Sequence, residues 1–235
     1  MWHSHRRAPR FELIFGSDAS TATSFQMKPR ATFYYDILSP YAYILLKTRA
    51  PLEAKLDLRP VPIYLPGLFK AHNVVGPMAI PSKRAFIYAS VVRSTKKLGL
   101  PFKFPPRHPF PATPALRLLA QENADLAMLD KAFDFVFGHG QDPDEKWPEF
   151  CAALGLPMST VKPTDATIKA KLIANTEAAA RQGVFGVPTI AYQDQLFFGA
   201  DSMEWLLEFL DDPDMFNDPA YKAAWATENP FARKE

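Results

Sequence analysis

The chain of 235 residues holds a single cysteine, Cys151. One thiol excludes a disulfide framework, a multi-cysteine zinc or iron–sulfur site, and dithiol redox chemistry within the chain. An excess of one charge is missing too. Twenty-seven Lys and Arg against 25 Asp and Glu leave +2, too little for a dedicated nucleic-acid binder. No apolar run approaches the ~20 residues that cross a bilayer, so no membrane partner is expected. The strongest run, residues 41–46, is one short segment. There is no glycine-rich phosphate loop, internal repeat or low-complexity tract. His72, His108 and His139 are scattered, with no pair four apart on one helix, and no metal site is expected. Cys151 stands among apolar neighbours in a helical stretch and reads as a buried, inert thiol.

What is present fits an ordinary globular protein, with 48% apolar and 22% charged residues. Twenty-three prolines imply many loops and sharp element boundaries. The first 26 residues stand apart: Arg6, Arg7 and Arg10 are basic, residues 17–24 are Ser/Thr-rich, and no core periodicity is visible. They read as a disordered extension in which His3 and His5 are incidental. An Arg- and Ser-rich transit peptide is the alternative; Glu12 and Asp18 count against it, and Met27 is placed to be the true start.

The β-branched and aromatic run 31–36 predicts a first strand. Ser39 as N-cap and Pro40 at the first position open a helix over 41–49, because proline lacks only a donor that the first turn does not use. Residues 57–64 predict a second strand whose prolines suit an edge or a bulge. Helices follow over 83–98, 113–123, 125–137, 143–154 and 164–182, the last closed by Gly183. A proline-rich loop, 101–111, interrupts them, and its basic stretch 103–108 reads as solvated. Residues 189–192 and 195–198 predict a hairpin about Gln193-Asp194, although no glycine supplies positive φ there. A helix over 202–210 completes the pattern, and the last twenty residues read as peripheral.

Two local signatures carry a resemblance. Asp36-Ile37-Leu38-Ser39-Pro40-Tyr41-Ala42-Tyr43 runs a strand end into a capped helix, where thioredoxins carry Cys-x-x-Cys. Gly183-Val184-Phe185-Gly186-Val187-Pro188-Thr189 sets a proline just before a strand and resembles the cis-proline loop that faces the active site in that superfamily. With these residues the chain resembles the 2-hydroxychromene-2-carboxylate isomerases and kappa-class glutathione transferases. Those enzymes belong to the disulfide-oxidase (DsbA-like) branch of thioredoxin folds, with serine replacing the reactive cysteine. The resemblance covers about residues 31–211. It implies an α/β fold: a thioredoxin-like core (31–66 and 183–211) with an all-helical insertion after the first β-α-β unit. That insertion spans 67–182, its last helix returning to the core, between an extension (1–30) and a C-terminal tail (212–235).

At Ser39 two readings stay open. A serine before a proline at a helix start is a sufficient cap by itself. The same geometry sets a hydroxyl where the helix dipole and free amides favour negative charge. A glutathione thiol bound there would ionise below its usual ~8.5 and take a hydrogen bond from Ser39. No sequence feature sets a histidine base beside Ser39, so a nucleophilic role is not expected. The resemblance implies that Val187, before Pro188, pairs through its backbone with the cysteinyl backbone of glutathione as an added strand. It implies that Ala200 and Asp201 hold the γ-glutamyl end. The family's Gly-Ser-Asp-Arg reads Gly199-Ala200-Asp201-Ser202 here, which lacks the serine hydroxyl and the arginine and leaves backbone donors for a carboxylate. Asp201-Ser202-Met203-Glu204 equally matches a capping box. Phe69-Lys70-Ala71-His72-Asn73, with Pro77 and Pro81, resembles a family loop in which Lys70 meets a carboxylate of glutathione or substrate. Lys70 reads equally as a solvated lysine, and Asn73 stands one place early against the family pattern.

The implied chemistry is a glutathione-dependent isomerisation of a 2-hydroxychromene-2-carboxylate-type intermediate of aromatic degradation. Thiolate addition, ring opening, rotation about the freed bond and thiol loss would return glutathione unchanged, the protein stabilising charge and excluding water. A kappa-type transferase or peroxidase, and a thioredoxin-fold binding module without chemistry, are the alternatives. The implied partners are glutathione, a small aromatic or hydrophobic substrate, and a second copy of the chain as a homodimer. The implied location is cytoplasmic, or mitochondrial if the extension is a transit peptide.

Overall fold

The computed structural model describes residues 27–230, so the expectations for residues 1–26 lie outside the described residues. Strand β1 (Arg30–Tyr35) begins one residue before its predicted bound. Side chains alternate along a strand: Ala31, Phe33 and Tyr35 enter one core, and Tyr34 enters another. Ser39 then caps helix α1 (Pro40–Thr48), and α2 (Ala50–Lys55) follows at once. Sequence reading stopped at Pro51, yet Pro51 sits in the first turn of α2, where a missing donor is harmless. Strand β2 (Asp57–Pro62) runs parallel to β1, with Tyr35 opposite Pro62.

Helix α3 (Leu65–Ala71) was not predicted from sequence, because Pro66-Gly67 signals a turn. Pro66 again occupies a first turn, and a Cβ on Gly67 would stand 3.1 Å from the Tyr64 ring, so the glycine permits close packing. Helices α4 (Pro81–Lys97), α5 (Thr113–Gln121), α6 (Leu126–Phe133), α7 (Trp147–Ala153) and α8 (Ala166–Arg181) follow. Two differ from expectation. The predicted helix 125–137 ends its α-form at Phe133 and widens into a π-turn (Asp134–Gly138), closed by His139 N–H on the Asp134 carbonyl at 2.8 Å. The helix predicted from Pro143 begins four residues later, because Asp142 and Asp144 are drawn to Arg107 and Lys162.

Strands β3 (Thr189–Tyr192) and β4 (Gln195–Phe198) form the expected hairpin, with Gln193 itself taking φ +52°. β3 pairs antiparallel with β1, which gives the sheet order β2-β1-β3-β4 and puts the proline-bearing β2 at an edge. Helix α9 (Met203–Asp211) and helix α10 (Pro219–Trp225) end the described chain. The C-terminal segment, expected to be peripheral, is partly docked: Phe216 is buried, with ring centroids 5.2 Å from Phe209 and 5.5 Å from Trp205.

Both sheet faces are covered. One face shares a continuous core with α1, α2 and α4 to α9, so the helical insertion is not packed apart from the sheet. The other face, through Tyr34 and Ala191, meets Leu68 of α3, Ala179 of α8 and the Val184–Val187 loop.

Candidate active site

Ser39 stands where β1 turns into α1 and is buried. Its backbone is extended (φ −89°, ψ 109°), and its Oγ accepts the Ala42 N–H at 3.2 Å. The predicted cap is therefore formed. The same hydroxyl donates to the Val187 carbonyl at 3.1 Å, across 148 residues of sequence. Antiparallel pairing explains the meeting: Tyr34 faces Thr189, so the chain leaving β1 lies beside the chain entering β3. The Val187–Pro188 peptide bond is cis. Among the described residues the N–H groups of Val187 and Tyr41 find no acceptor, which leaves one free amide donor on the residue that Ser39 bonds and one in the first turn of α1.

Asp36, buried completely, organises the approach to Ser39. Its Oδ1 accepts the Leu38 N–H and its Oδ2 the Leu65 N–H, both at 2.9 Å, and its carbonyl accepts the Ser39 N–H at 2.9 Å. Burial pushes the carboxyl up to about 6 against the opposing pull of the two amides. One side chain thus ties the Ser39 turn to the start of α3. In the sequence Asp36 stands out only as part of the strand-end motif; its own signal is an aspartate two residues before a turn amide.

His108 is the residue that sequence reading passed over. Its Nε2 donates to the Leu38 carbonyl at 2.8 Å, one residue from Ser39, and its Nδ1 lies 2.7 Å from the Tyr88 hydroxyl. Burial lowers its pKa, opposed by the bond to Leu38. The stretch 103–108 is accordingly not a simple solvated loop: Phe104 and His108 are half-buried and Pro105 is buried. Phe102, Phe104 and Phe110, alternating with prolines and cations, were the legible hint of an inward-facing loop.

The remaining predicted residues lie around this centre. Lys70 and Asn73 are exposed at the end of α3, Asn73 with φ +51°, and neither makes a hydrogen bond to Ser39 or Val187. Their helix is nevertheless tethered twice, at Leu65 to Asp36 and at His72, whose Nε2 donates to the Val184 carbonyl at 2.7 Å. Ala200 and Asp201 follow Gly199 (φ +93°), whose N–H donates to the Pro188 carbonyl at 2.9 Å, so this turn adjoins the proline. The capping box does not form. Ser202 is the N-cap of α9, and its hydroxyl turns back to the Gly199 carbonyl at 2.9 Å. Asp201 is left exposed. Two further rings went unnoticed in the sequence: Phe185 and Phe198, both exposed and 4.7 Å apart, flank Gly186 just before Val187.

Cys151 is buried in α7, and burial pushes its thiol up. Among the described residues no group of three or more His, Cys, Asp or Glu is arranged to hold a metal, and no helix is long and apolar enough to cross a membrane.

Residues 31–211 match the family model described as a DSBA-like thioredoxin domain. Human glutathione S-transferase kappa 1 is 29% identical over 202 residues, covering 75% of this chain and 88% of that protein. The 2-hydroxychromene-2-carboxylate isomerase of Sphingobium xenophagum is 29% identical over 194 residues, covering 76% and 96%. Among solved structures, a 2-hydroxychromene-2-carboxylate isomerase superposes with a TM-score of 0.67 at 23% identity, covering 84% of this chain and all of the other. That likeness concerns the fold.

Proposed function

The chain belongs to the DSBA-like thioredoxin domain family, and from that premise we propose that it is a glutathione-dependent isomerase of 2-hydroxychromene-2-carboxylate-type substrates, with Ser39 stabilising the glutathione thiolate. One observation carries the reading. The Ser39 hydroxyl stands at a helix N-terminus and donates to the residue before Pro188, which supports reading Ser39 as the counterpart of the first cysteine of Cys-x-x-Cys.

The donors around it suit a peptide that carries a sulfur anion and carboxylates. They are the Ser39 hydroxyl, the unmatched amides of Tyr41 and Val187, and the amides of Ala200 and Asp201, with Asp36 turned away onto backbone N–H groups. When bound, glutathione supplies a thiolate that adds to the substrate and leaves again. Ser39 has one proton to donate. Turning it from the Val187 carbonyl toward a thiolate frees that carbonyl for a peptide N–H, so holding the sulfur and pairing the backbone become one event. Positive charge from the first turn of α1 adds to the pull on an anion at this point. Val187 would hold the cysteinyl backbone, Ala200 and Asp201 the γ-glutamyl carboxylate, and Lys70, with Asn73 beside it, a second carboxylate. The exposed Phe185 and Phe198 rings offer faces for an aromatic substrate.

A transferase reading is supported by equal identity to the kappa-class enzyme, 29% in each case. Ultraviolet spectra of a chromene carboxylate, with and without glutathione, separate the two. Isomerisation changes the spectrum catalytically and leaves the thiol titre constant, whereas conjugation to an electrophile consumes thiol. A chain that neither performs these reactions nor is retained on immobilised glutathione is a binding module without this chemistry.

A further inference from the structure

One peptide plane carries the chain into α1: the carbonyl of Leu38 and the N–H of Ser39. Its two edges are held by different parts of the fold. The Ser39 N–H donates to the Asp36 carbonyl at 2.9 Å, and the Leu38 carbonyl takes Nε2–H of His108 at 2.8 Å. We propose that His108, set by Tyr88, is a positioning residue for Ser39.

A carbonyl only accepts, so Nε2 carries the proton and Nδ1 of the neutral ring is the acceptor. The Tyr88 hydroxyl, 2.7 Å away, is the donor that fixes this tautomer. That hydroxyl has one proton and a second acceptor in reach, the carbonyl of His108 at 2.8 Å; with Nε2 protonated, the closer Nδ1 takes it. The rings of Phe104 at 5.5 Å and Phe137 at 5.9 Å limit the tilt of the imidazole. With that plane pinned, and the next one held by the Ser39 carbonyl accepting the Ala42 and Tyr43 N–H groups at 3.0 and 3.3 Å, the Cα–Cβ direction of Ser39 is set and only its χ1 remains. Ala42 N–H and the Val187 carbonyl select that last angle. The helical insertion, which supplies both Tyr88 and His108, thereby aims the hydroxyl of a core residue. A misplacement of ~1 Å at such a group is enough to cost about a hundredfold in rate. The catalytic consequence rests on the reading of Ser39 as thiolate donor; the positioning does not.

Three measurements on the full chain test this. Nitrogen NMR of the wild-type imidazole should show the Nε2–H tautomer for His108, and an Nδ1–H ring overturns the proposal. Hydrogen exchange at the Ser39 and Ala42 amides, referred to β1 and β3 amides as reporters of global opening, should be roughly tenfold faster in His108→Ala. It should return close to wild type in His108→Gln, whose side-chain amide nitrogen can still donate to Leu38, and lie between in Tyr88→Phe. Uniform acceleration at all amides, or none at Ser39 and Ala42, overturns the proposal; if His108→Ala does not fold, Tyr88→Phe against wild type decides. Turnover at neutral pH should follow the exchange order, kcat falling and the glutathione KM rising together, and part of the loss should return at higher pH. A wild type without glutathione-dependent turnover sinks the functional reading, while tautomer and exchange still decide the positioning claim.

Discussion

A single hydroxyl at Ser39 accepts one hydrogen bond and donates another, and that division sets what its removal should do. Losing the cap in Ser39→Ala costs ~0.5–2 kcal/mol of stability. Losing a charge-assisted bond of ~1.5–3 kcal/mol to a thiolate raises the bound thiol pKa by roughly one to two units. Activity at neutral pH should then fall about ten- to a hundredfold and return as pH approaches the new pKa. A pH–rate profile unchanged from wild type, despite a lower melting temperature, would reduce Ser39 to a cap. Asp36 allows a second prediction. Its folded pKa, about 6, lies above the ordinary 3.8, so its contribution to stability is fully present below pH ~4 and fades as pH rises through about 6. Urea unfolding of wild type against Asp36→Asn should show the wild type losing ground over that window, by roughly 3 kcal/mol at most. A difference that grows in the wild type's favour with pH would mean that the carboxylate is stabilised in place. Ser39 and Val187 were legible in the sequence because helix capping and a proline before a strand are local signals. His108 was not, since its partners Leu38 and Tyr88 are distant in sequence and only folding brings them together.

Among the elements, α1 begins at Ser39 and is anchored at its other end. Lys47 meets Asp130 at 3.1 Å and Asp134 at 2.7 Å, and Arg49 meets Asp130 at 2.7 Å through a two-pronged contact. This cluster joins the last turn of α1 to α6 and the π-turn. The side chains of Lys47, Arg49 and Asp130 are 16–27% exposed, so Asp130→Asn leaves two cations poorly matched in a half-buried place. The expected loss is about 1–3 kcal/mol, between the values for exposed and buried pairs, and is read as a shift in the urea midpoint with an unchanged slope. A loss below ~0.3 kcal/mol would show that solvent already screens the cluster. The pH–rate profile should not move, because α1 still begins at the same capped serine. The elements that sequence reading missed share one cause. α2 and α3 each hold a proline in the first turn, and without a capping serine such as the one before Pro40 a proline reads as a stop although it is also a start. The π-turn was hidden because a wider turn leaves no distinct mark on a run of apolar residues such as Phe135, Val136 and Phe137.

Taken whole, the molecule is a mixed α/β sheet covered on both faces, with helices inserted between its first and second halves. The order of elements was readable because each strand and long helix carries its own pattern. The sharing of one core between insertion and sheet was not, since periodicity shows which side is buried but not against what. That shared core makes ligand binding a property of the whole fold, and stability can report it. A ligand held only by the folded chain adds about 2.7 kcal/mol at a hundredfold excess over Kd, roughly a 5–10 °C rise in melting temperature for a domain of this size. Glutathione should produce such a rise. S-methylglutathione keeps the carboxylates and the extended backbone but cannot ionise at sulfur, and it isolates the part owed to the thiolate. If the bound thiol pKa is lowered, binding releases a proton. Affinity for glutathione then climbs as pH rises from the bound pKa to the free value of ~8.5, and is level above it. The melting shift with glutathione should therefore grow over that window, while the shift with S-methylglutathione changes only as the rest of the site titrates. Parallel shifts for both ligands at every pH would remove the thiolate from the Ser39 site, and no shift with either would remove glutathione from the protein.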